Sequence, residues 1–338
     1  MKSNSYVECP ICRTEVKKDG FIEAYESPFN NQKYELYECP ECELQWWEPL
    51  RMVPEFYEND VFNLYTSFHE GVRTKIGQNH KAFLKYFPGK IKGKLLDIGC
   101  GDGIFLREAQ KHGFEVWGID FDKKSVEVVK KSLGVETVYP MSLEEFCEFA
   151  KEKNVKFDVV TFFEVLEHQD KLRNFLEMVK SLLKEGGYIA GSVPNRERLF
   201  SEVDWKYFNG DYPPHHFLRF SKGALENTLK LVGFSNVEVY KLDFPKEELP
   251  AYIEKKVFGS GIDRLKVILK GKALQNQKLA NAVKVEDMDK INPSPYYRIL
   301  KLLKGFRNKL LFPMTLAYSY KLKGRGIYLY FQARLRNV

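Results

Sequence analysis

Residues 94–103 read Lys94-Leu95-Leu96-Asp97-Ile98-Gly99-Cys100-Gly101-Asp102-Gly103. A short apolar run ends in three glycines at alternate positions, and residues 104–112 continue with helical character until Gly113 stops them. A strand that turns through glycines into a helix is where open α/β sheets receive a nucleotide, because glycine lets a ligand approach the main chain closely. The spacing separates two kinds of nucleotide. Dinucleotide folds use G-x-G-x-x-G, whose later glycines make room for pyrophosphate. Here Ile104 stands where the third glycine of that pattern would fall, and Asp97 precedes the turn. A carboxylate is a poor neighbour for pyrophosphate and a good one for a cation.

The pattern repeats on the C-terminal side. Residues 114–120 form a second strand that ends on Asp120, followed by Phe121. Its carboxylate is placed to accept from two ribose hydroxyls. Residues 123–133 read as a helix with Val126, Val129 and Leu133 on one face, and residues 157–163 as a buried strand. Leu172, Phe175, Leu176, Val179, Leu182 and Leu183 make a helix stripe, closed by Gly186-Gly187, before another strand at 188–193. Strands alternating with helices predict a parallel sheet covered on both faces.

Three motifs in order carry a resemblance to the class I S-adenosylmethionine-dependent methyltransferases. Their D-x-G-x-G-x-G stands here as Asp97, Gly99, Gly101 and Gly103, their acidic residue closing the second strand as Asp120, and their E-x-L-E-H as Glu164-Val165-Leu166-Glu167-His168. The resemblance covers residues 90–245 and the last strand. It implies an α/β fold: a doubly wound, mostly parallel seven-stranded methyltransferase sheet. The implied cofactor is S-adenosylmethionine, held by Asp97, Gly99, Cys100, Gly101, Gly103, Asp120, Phe121 and Glu164. Met141 and Ser142 occupy the place after the third strand where the family contacts adenine. Cys100 reads as a small filler of the turn, since no motif beside it supplies a base.

Methyl transfer to oxygen requires a proton to be removed, and histidine is the usual base. His168 lies after the fourth strand, at the sheet edge that binds ligands. His215 and His216 lie in Asp211-Tyr212-Pro213-Pro214-His215-His216-Phe217-Leu218-Arg219-Phe220-Ser221, between the fifth strand and the next helix. This segment resembles a loop over the active site of small-molecule and cell-surface glycan methyltransferases. His215 or His216 is the favoured base, with His168 next. Trp205, Tyr207 and Phe208 just upstream suit stacking on a sugar ring or base. His69, His80 and His112 read as structural.

Cys9-Pro10-Ile11-Cys12 and Cys39-Pro40-Glu41-Cys42 are two copies of one tetrapeptide, 26 residues apart. Without an export signal, such pairs bind metal before they form disulfides. Cys9, Cys12, Cys39 and Cys42 predict a four-sulfur structural Zn2+ site in a zinc ribbon. Ribbon and methyltransferase together resemble sugar methyltransferases acting on nucleotide-linked deoxysugars, some of which methylate carbon.

The net charge is +7, and from residue 290 onward eleven lysines and arginines stand with no acidic residue. Such a tail suits phosphate, nucleic acid or an anionic membrane. Between the sixth strand, at 234–240, and the seventh, at 326–334, about eighty residues intervene, too many for a structureless loop. They show helical patterns near 248–258, 261–281 and 295–321. In the last, Ile299, Leu303, Phe306 and Leu310 share a face opposite Arg298, Lys301, Lys304 and Lys309. A lid packed on the domain is the preferred reading, and contact with an anionic membrane or a glycan phosphate the other.

The expected organisation is a zinc ribbon at 1–50, a helical linker at 51–92, a methyltransferase domain at 93–245, a basic helical insertion at 246–324 and the last strand at 325–338. The expected acceptor is a small molecule, nucleotide sugar or glycan, methylated on oxygen before carbon. The competing acceptor is RNA, gripped by ribbon and tail. Phe163-Glu164-Val165-Leu166 stands where base-amine methyltransferases carry Asn-Pro-Pro-Tyr, which argues against it. The start of the chain lacks the apolar core of a signal peptide and no apolar run reaches a membrane span, so the expected location is cytoplasmic, with peripheral contact at the inner membrane face.

Overall fold

The computed structural model of the chain describes residues 5–52, 75–207, 209–259 and 295–336. His69 and much of the expected linker lie outside them. The chain divides into two compact units. One comprises residues 1–198, 210–242 and 324–338, the other residues 199–209 and 243–323.

The first unit begins with two small sheets. β1 (Tyr6–Glu8) pairs antiparallel with β2 (Glu15–Lys17). β3 (Glu23–Glu26), β4 (Lys33–Glu38) and β5 (Gln45–Glu48) form an antiparallel meander. Asn31, at φ 54°, turns β3 into β4, a left-handed conformation that asparagine tolerates. Side chains of a strand alternate between faces, so a strand with one wet face buries every second residue. In β5 the consecutive Trp46 and Trp47 are both fully buried. Both faces of β5 are therefore covered, Trp46 against Tyr37 and Trp47 against Tyr25 and Tyr212.

From α1 (Gln78–Tyr86) strands and helices alternate: β6 (Gly93–Ile98), α2 (Ile104–Lys111), β7 (Phe114–Ile119), α3 (Lys123–Leu133), β8 (Val138–Tyr139), α4 (Leu143–Glu152), β9 (Phe157–Phe163), α5 (Leu172–Leu182) and β10 (Leu183–Pro194). After β11 (Leu218–Arg219) and α7 (Lys222–Leu231), with α6 (Ser201–Tyr207) in the second unit, β12 (Phe234–Lys241) and β13 (Tyr328–Leu335) complete the sheet. Its order is β12-β13-β10-β9-β6-β7-β8. β6 to β10 run parallel, and β13 is antiparallel to both neighbours. This is the seven-stranded, mostly parallel α/β sheet that the motifs implied. The order reverses at β6, which lies between β7 and β9, so the segments leaving the carboxyl ends of β6 and β9 open onto one crevice.

One element differs from the sequence reading. The helix stripe ends at Leu182, and Leu183 already pairs with Phe157; the register then shifts before Tyr188 meets Val159. Gly186, at φ 68°, supplies the left-handed kink of this bulge. Leu183 is apolar because it faces the core as a strand residue, which helical spacing cannot distinguish at an element's end.

The second unit is helical. α8 (Leu249–Phe258) packs on α6 and α9 (Pro295–Ser319), and Phe200 joins them by stacking on Tyr252 with Phe244 and Tyr318 at its edge. The helix expected near 261–281 lies outside the described residues. In α9, Phe306 and Leu310 are exposed, with Leu302, Phe312 and Leu316, while Leu311 is buried. No helix among the described residues is long and apolar enough to cross a membrane.

Candidate active site

The three glycines after β6 are all left-handed, with φ of 73°, 51° and 68° at Gly99, Gly101 and Gly103. A Cβ on Gly103 would lie 2.7 Å from Val129 of α3, so both conformation and packing demand glycine there. The turn is fastened from the next strand. Gly99 N and Cys100 N donate to the Ile119 carbonyl, and Gly101 N donates to Asp120 Oδ2 at 2.9 Å. Asp120 Oδ1 accepts from Asp122 N. Asp120 is thus oriented at the carboxyl end of β7, with Phe121 exposed beside it. Cys100 is buried against Gly118, which suits the filler role.

Asp97 is buried, and its carboxylate accepts from the Thr161 hydroxyl of β9 at 2.7 Å. Desolvation pushes its pKa up to about 8, despite that hydrogen bond. A cation in the crevice would reverse this shift, so the residue suits the amino group or sulfonium of S-adenosylmethionine. Glu164, at φ 57°, turns the chain out of β9; it accepts from the Ser192 hydroxyl at 2.7 Å, and desolvation raises it to about 8. Ser192 also accepts from Asn79 of α1. Ser142 is exposed and caps α4 in a reciprocal capping box with Glu145, while Met141 is half-buried before it.

His168, His215 and His216 come together. Their ring centroids lie 4.6–4.8 Å apart pairwise. His168 Nδ1 lies 2.7 Å from the carbonyl of His215. A carbonyl only accepts, so Nδ1 donates. His216 Nδ1 lies 3.1 Å from Asp211 Oδ1, and Asp211 Oδ2 accepts from Arg198 at 2.7 Å. Desolvation raises Asp211, but Arg198 and His216 outweigh it and hold the carboxyl below the usual range. Asp211 is therefore an acceptor, and Nδ1 of His216 donates to it. Desolvation and the neighbouring His216 lower His168 to about 3; desolvation and both other histidines lower His215. Neither Asp211 nor Arg198 was a sequence candidate. Asp211 opens the Pro-Pro-His-His segment and could have been found there; Arg198 carried no local signal. His80 packs on Phe105 and Phe163, and His112 bonds its own helix at the Glu108 carbonyl. Of the aromatic residues upstream, Trp205 is half-buried in α6 of the second unit.

The histidine segment is held by the N-terminal sheet. β11 pairs antiparallel with β5, and Trp47 N donates to the Phe217 carbonyl. On its other side Phe217 N donates to the Glu167 carbonyl. Glu23 of β3 accepts from Tyr212 Oη at 2.8 Å and from Arg219 Nη1 at 2.9 Å. Tyr25 stacks on Tyr212 at 4.3 Å, and Arg219 lies over Trp47. Both ends of the segment are thereby fixed by residues of β3 and β5.

The four ribbon cysteines converge. Cys9 and Cys42 sulfurs lie 3.5 Å apart, Cys12 and Cys39 sulfurs 3.3 Å, and all four within 4.8 Å of one another. Tetrahedral thiolates at about 2.3 Å from zinc sit roughly 3.8 Å apart, so the arrangement fits that ion. The two knuckles repeat one geometry: Arg13 N donates to Cys9 O and Glu43 N to Cys39 O, with Arg13 and Glu43 at φ 66° and 62°. Arg173 of α5 donates twice to the Ile11 carbonyl inside the first knuckle.

Comparison with known proteins agrees with this architecture. Residues 68–239 match the family described as "Methyltransferase domain". The chain is 27% identical over 213 residues to a ubiquinone biosynthesis O-methyltransferase of Paraburkholderia phymatum, covering 61% of this chain and 82% of that one. It is 29% identical over 147 residues to the enzyme of the same name from Acinetobacter baylyi, covering 40% of this chain and 62% of that one, less than two thirds of its length. Among solved structures it is similar to an S-adenosylmethionine-dependent methyltransferase from Archaeoglobus fulgidus, at 18% identity and a TM-score of 0.46, covering 80% of this chain and 99% of that one. The glycine turn, the sheet order and a family match spanning more than half of the chain place this protein among the class I S-adenosylmethionine-dependent methyltransferases.

Proposed function

We propose that the enzyme methylates a hydroxyl oxygen of a sugar, glycan or other small-molecule acceptor, and that the acceptor's proton is removed at the His168–His215–His216 cluster. The observation that carries this reading is the cluster itself, three imidazoles beyond the carboxyl end of β9 with a buried Asp211–Arg198 pair behind His216. S-adenosylmethionine, when bound, supplies a methyl group already activated by its sulfonium, which leaves alignment and proton removal to the chain. Asp97 faces the positive charge of the cofactor, Asp120 its ribose hydroxyls, and the main chain of Gly99, Cys100, Gly101 and Gly103 lies along it. Phe121, Met141, Ser142 and Glu164 complete the pocket. His216, held by Asp211 on its other nitrogen, is the imidazole best placed to take the proton.

The O-methyltransferase relatives support oxygen as the accepting atom; removal of a proton beside a carbonyl, for C-methylation, would use the same histidines. Cys9, Cys12, Cys39 and Cys42 hold structural zinc on this reading. The basic insertion meets the phosphate of a nucleotide sugar or lipid-linked glycan, at the cytoplasmic face of an anionic membrane.

Labelled S-adenosylmethionine incubated with fractionated extract tests the acceptor class: label is expected in nucleotide sugar, glycan or another small molecule, and label confined to RNA overturns the proposal. The cofactor site has its own test. Asp97→Ala is expected to weaken S-adenosylmethionine binding about 10–150-fold, the equivalent of about 1.5–3 kcal/mol for a contact with a charged group. S-adenosylhomocysteine, which lacks the sulfonium charge, should lose less. Equal losses for both ligands in calorimetry would remove the sulfonium from the role given to Asp97.

A further inference from the structure

Thr161 and Asp97 stand directly opposite each other in the parallel pairing of β9 with β6. Side chains of a strand alternate between faces, and partners in register share one. The threonine hydroxyl therefore meets the carboxyl without any irregularity of the backbone, at 2.7 Å from Oδ1. A hydroxyl has one hydrogen to give, and its other acceptor, the Leu96 carbonyl, lies farther off at 3.3 Å. Among the described residues no other side chain hydrogen-bonds to Asp97. Thr161 is itself fully buried. It is out of a ligand's reach and acts only through its partner.

We propose that Thr161 is a positioning residue of the cofactor site, whose hydroxyl holds Asp97 as the carboxylate that receives the positive charge of S-adenosylmethionine. The proposal deepens the role given to Asp97 and rests on it.

Burial by itself favours the neutral acid, and the neighbouring ionisable groups do not oppose it. Those that interact with Asp97 are Asp120, at the end of β7, and Cys100, in the glycine turn. Neither is cationic, and Asp120 pushes Asp97 further up. The hydroxyl from β9 acts the other way, since a hydrogen bond to the charged form favours it. With desolvation dominant, the carboxyl still stands at about 8, so it is mostly neutral near neutral pH until a cation enters. A carboxylate accepts more strongly than a neutral carboxyl. The bond from Thr161 therefore tightens as the cofactor drives the proton off. Below the pKa of Asp97, where binding and ionisation are coupled, the hydroxyl strengthens cofactor binding. Above it, free and bound protein hold the same carboxylate and the contribution cancels. Packing alone would give Thr161 no such dependence on pH.

Calorimetry of S-adenosylmethionine binding to the full-length protein across this pH range provides the test. Thr161→Val removes the hydroxyl and keeps the volume. It is expected to weaken binding about tenfold near pH 7 and by less than about twofold near pH 9.5. Thr161→Ala should show the same pH-dependent loss on top of any constant loss from its smaller side chain, and Thr161→Ser should restore the wild-type profile. Asp97→Ala/Thr161→Val should bind no more weakly than Asp97→Ala, because the hydroxyl then has no carboxylate to hold. If Asp97→Ala weakens binding while both hydroxyl-free variants match the wild type, or lose one constant factor at every pH, the positioning role is overturned and the role of Asp97 stands. Wild-type affinity in Asp97→Ala overturns both.

Discussion

Replacing His215 and His216 together by alanine is expected to lower turnover about 10²–10⁴-fold, the range lost when a positioned proton acceptor is removed. Affinity for S-adenosylmethionine should change little, because the glycine turn, Asp97 and Asp120 are held by β6, β7 and β9 and not by this segment. The backbone of the segment should survive. It is fixed by main-chain pairing of β11 with β5 and by Tyr212 and Arg219 on Glu23, none of which involves an imidazole. The loss should therefore appear in kcat at saturating cofactor. His216→Ala alone should cost more than His215→Ala, since only His216 has Asp211 behind it. Steady-state kinetics with calorimetry of cofactor binding separates these outcomes. Normal turnover in the double variant removes both residues from the mechanism, and a parallel loss of cofactor affinity makes them structural.

Loss of the metal proposed for the cysteine cluster should have a comparably large effect at a distance. Structural zinc contributes on the order of 10 kcal/mol to small domains that fold around it. The ribbon buries Trp46, Trp47, Tyr37 and Leu44, a small core with few other sources of stability. In the Cys39→Ser/Cys42→Ser protein the β3–β5 meander is expected to open. The histidine segment then loses its pairing with β5, the Glu23 contacts and the Tyr25 stack together. Amide exchange at Trp47, Leu218 and Arg219 should rise at least tenfold and turnover should fall with it, while S-adenosylmethionine still binds. Retained protection at Leu218 and Arg219 would mean that the sheet edge, and not the ribbon, holds the segment. On the expected outcome the N-terminal sheet has a physical task at the proposed site beyond the metal proposed for its cysteines.

What could be read from the sequence was local. Glycine spacing and the residues beside it settle the cofactor turn, because left-handed φ at Gly99, Gly101 and Gly103 is a property of single residues. Alternating strands and helices settle the class of sheet for a related reason: each element's apolar face is written along its own length. Two copies of Cys-Pro-x-Cys mark the ribbon in the same way. Element ends were less legible, and Leu183 was assigned to a helix when it starts β10.

Tertiary structure decided everything that joins distant segments. That His168 would meet His215 and His216 follows from β9 and the Pro-Pro-His-His segment sharing one edge of the sheet, and no spacing states it. Glu23 acquires its role through partners far along the chain, Tyr212 and Arg219. Both faces of β5 are covered only in the fold, where Tyr212 and Arg219 lie over Trp47. The sequence by itself determined the methyl donor and the scaffold, since backbone conformation and hydrophobic periodicity are encoded residue by residue. The fold decided the histidine cluster and the hold of the N-terminal sheet on it, since hydrogen bonds and charge pairs between distant segments exist only after the chain has folded.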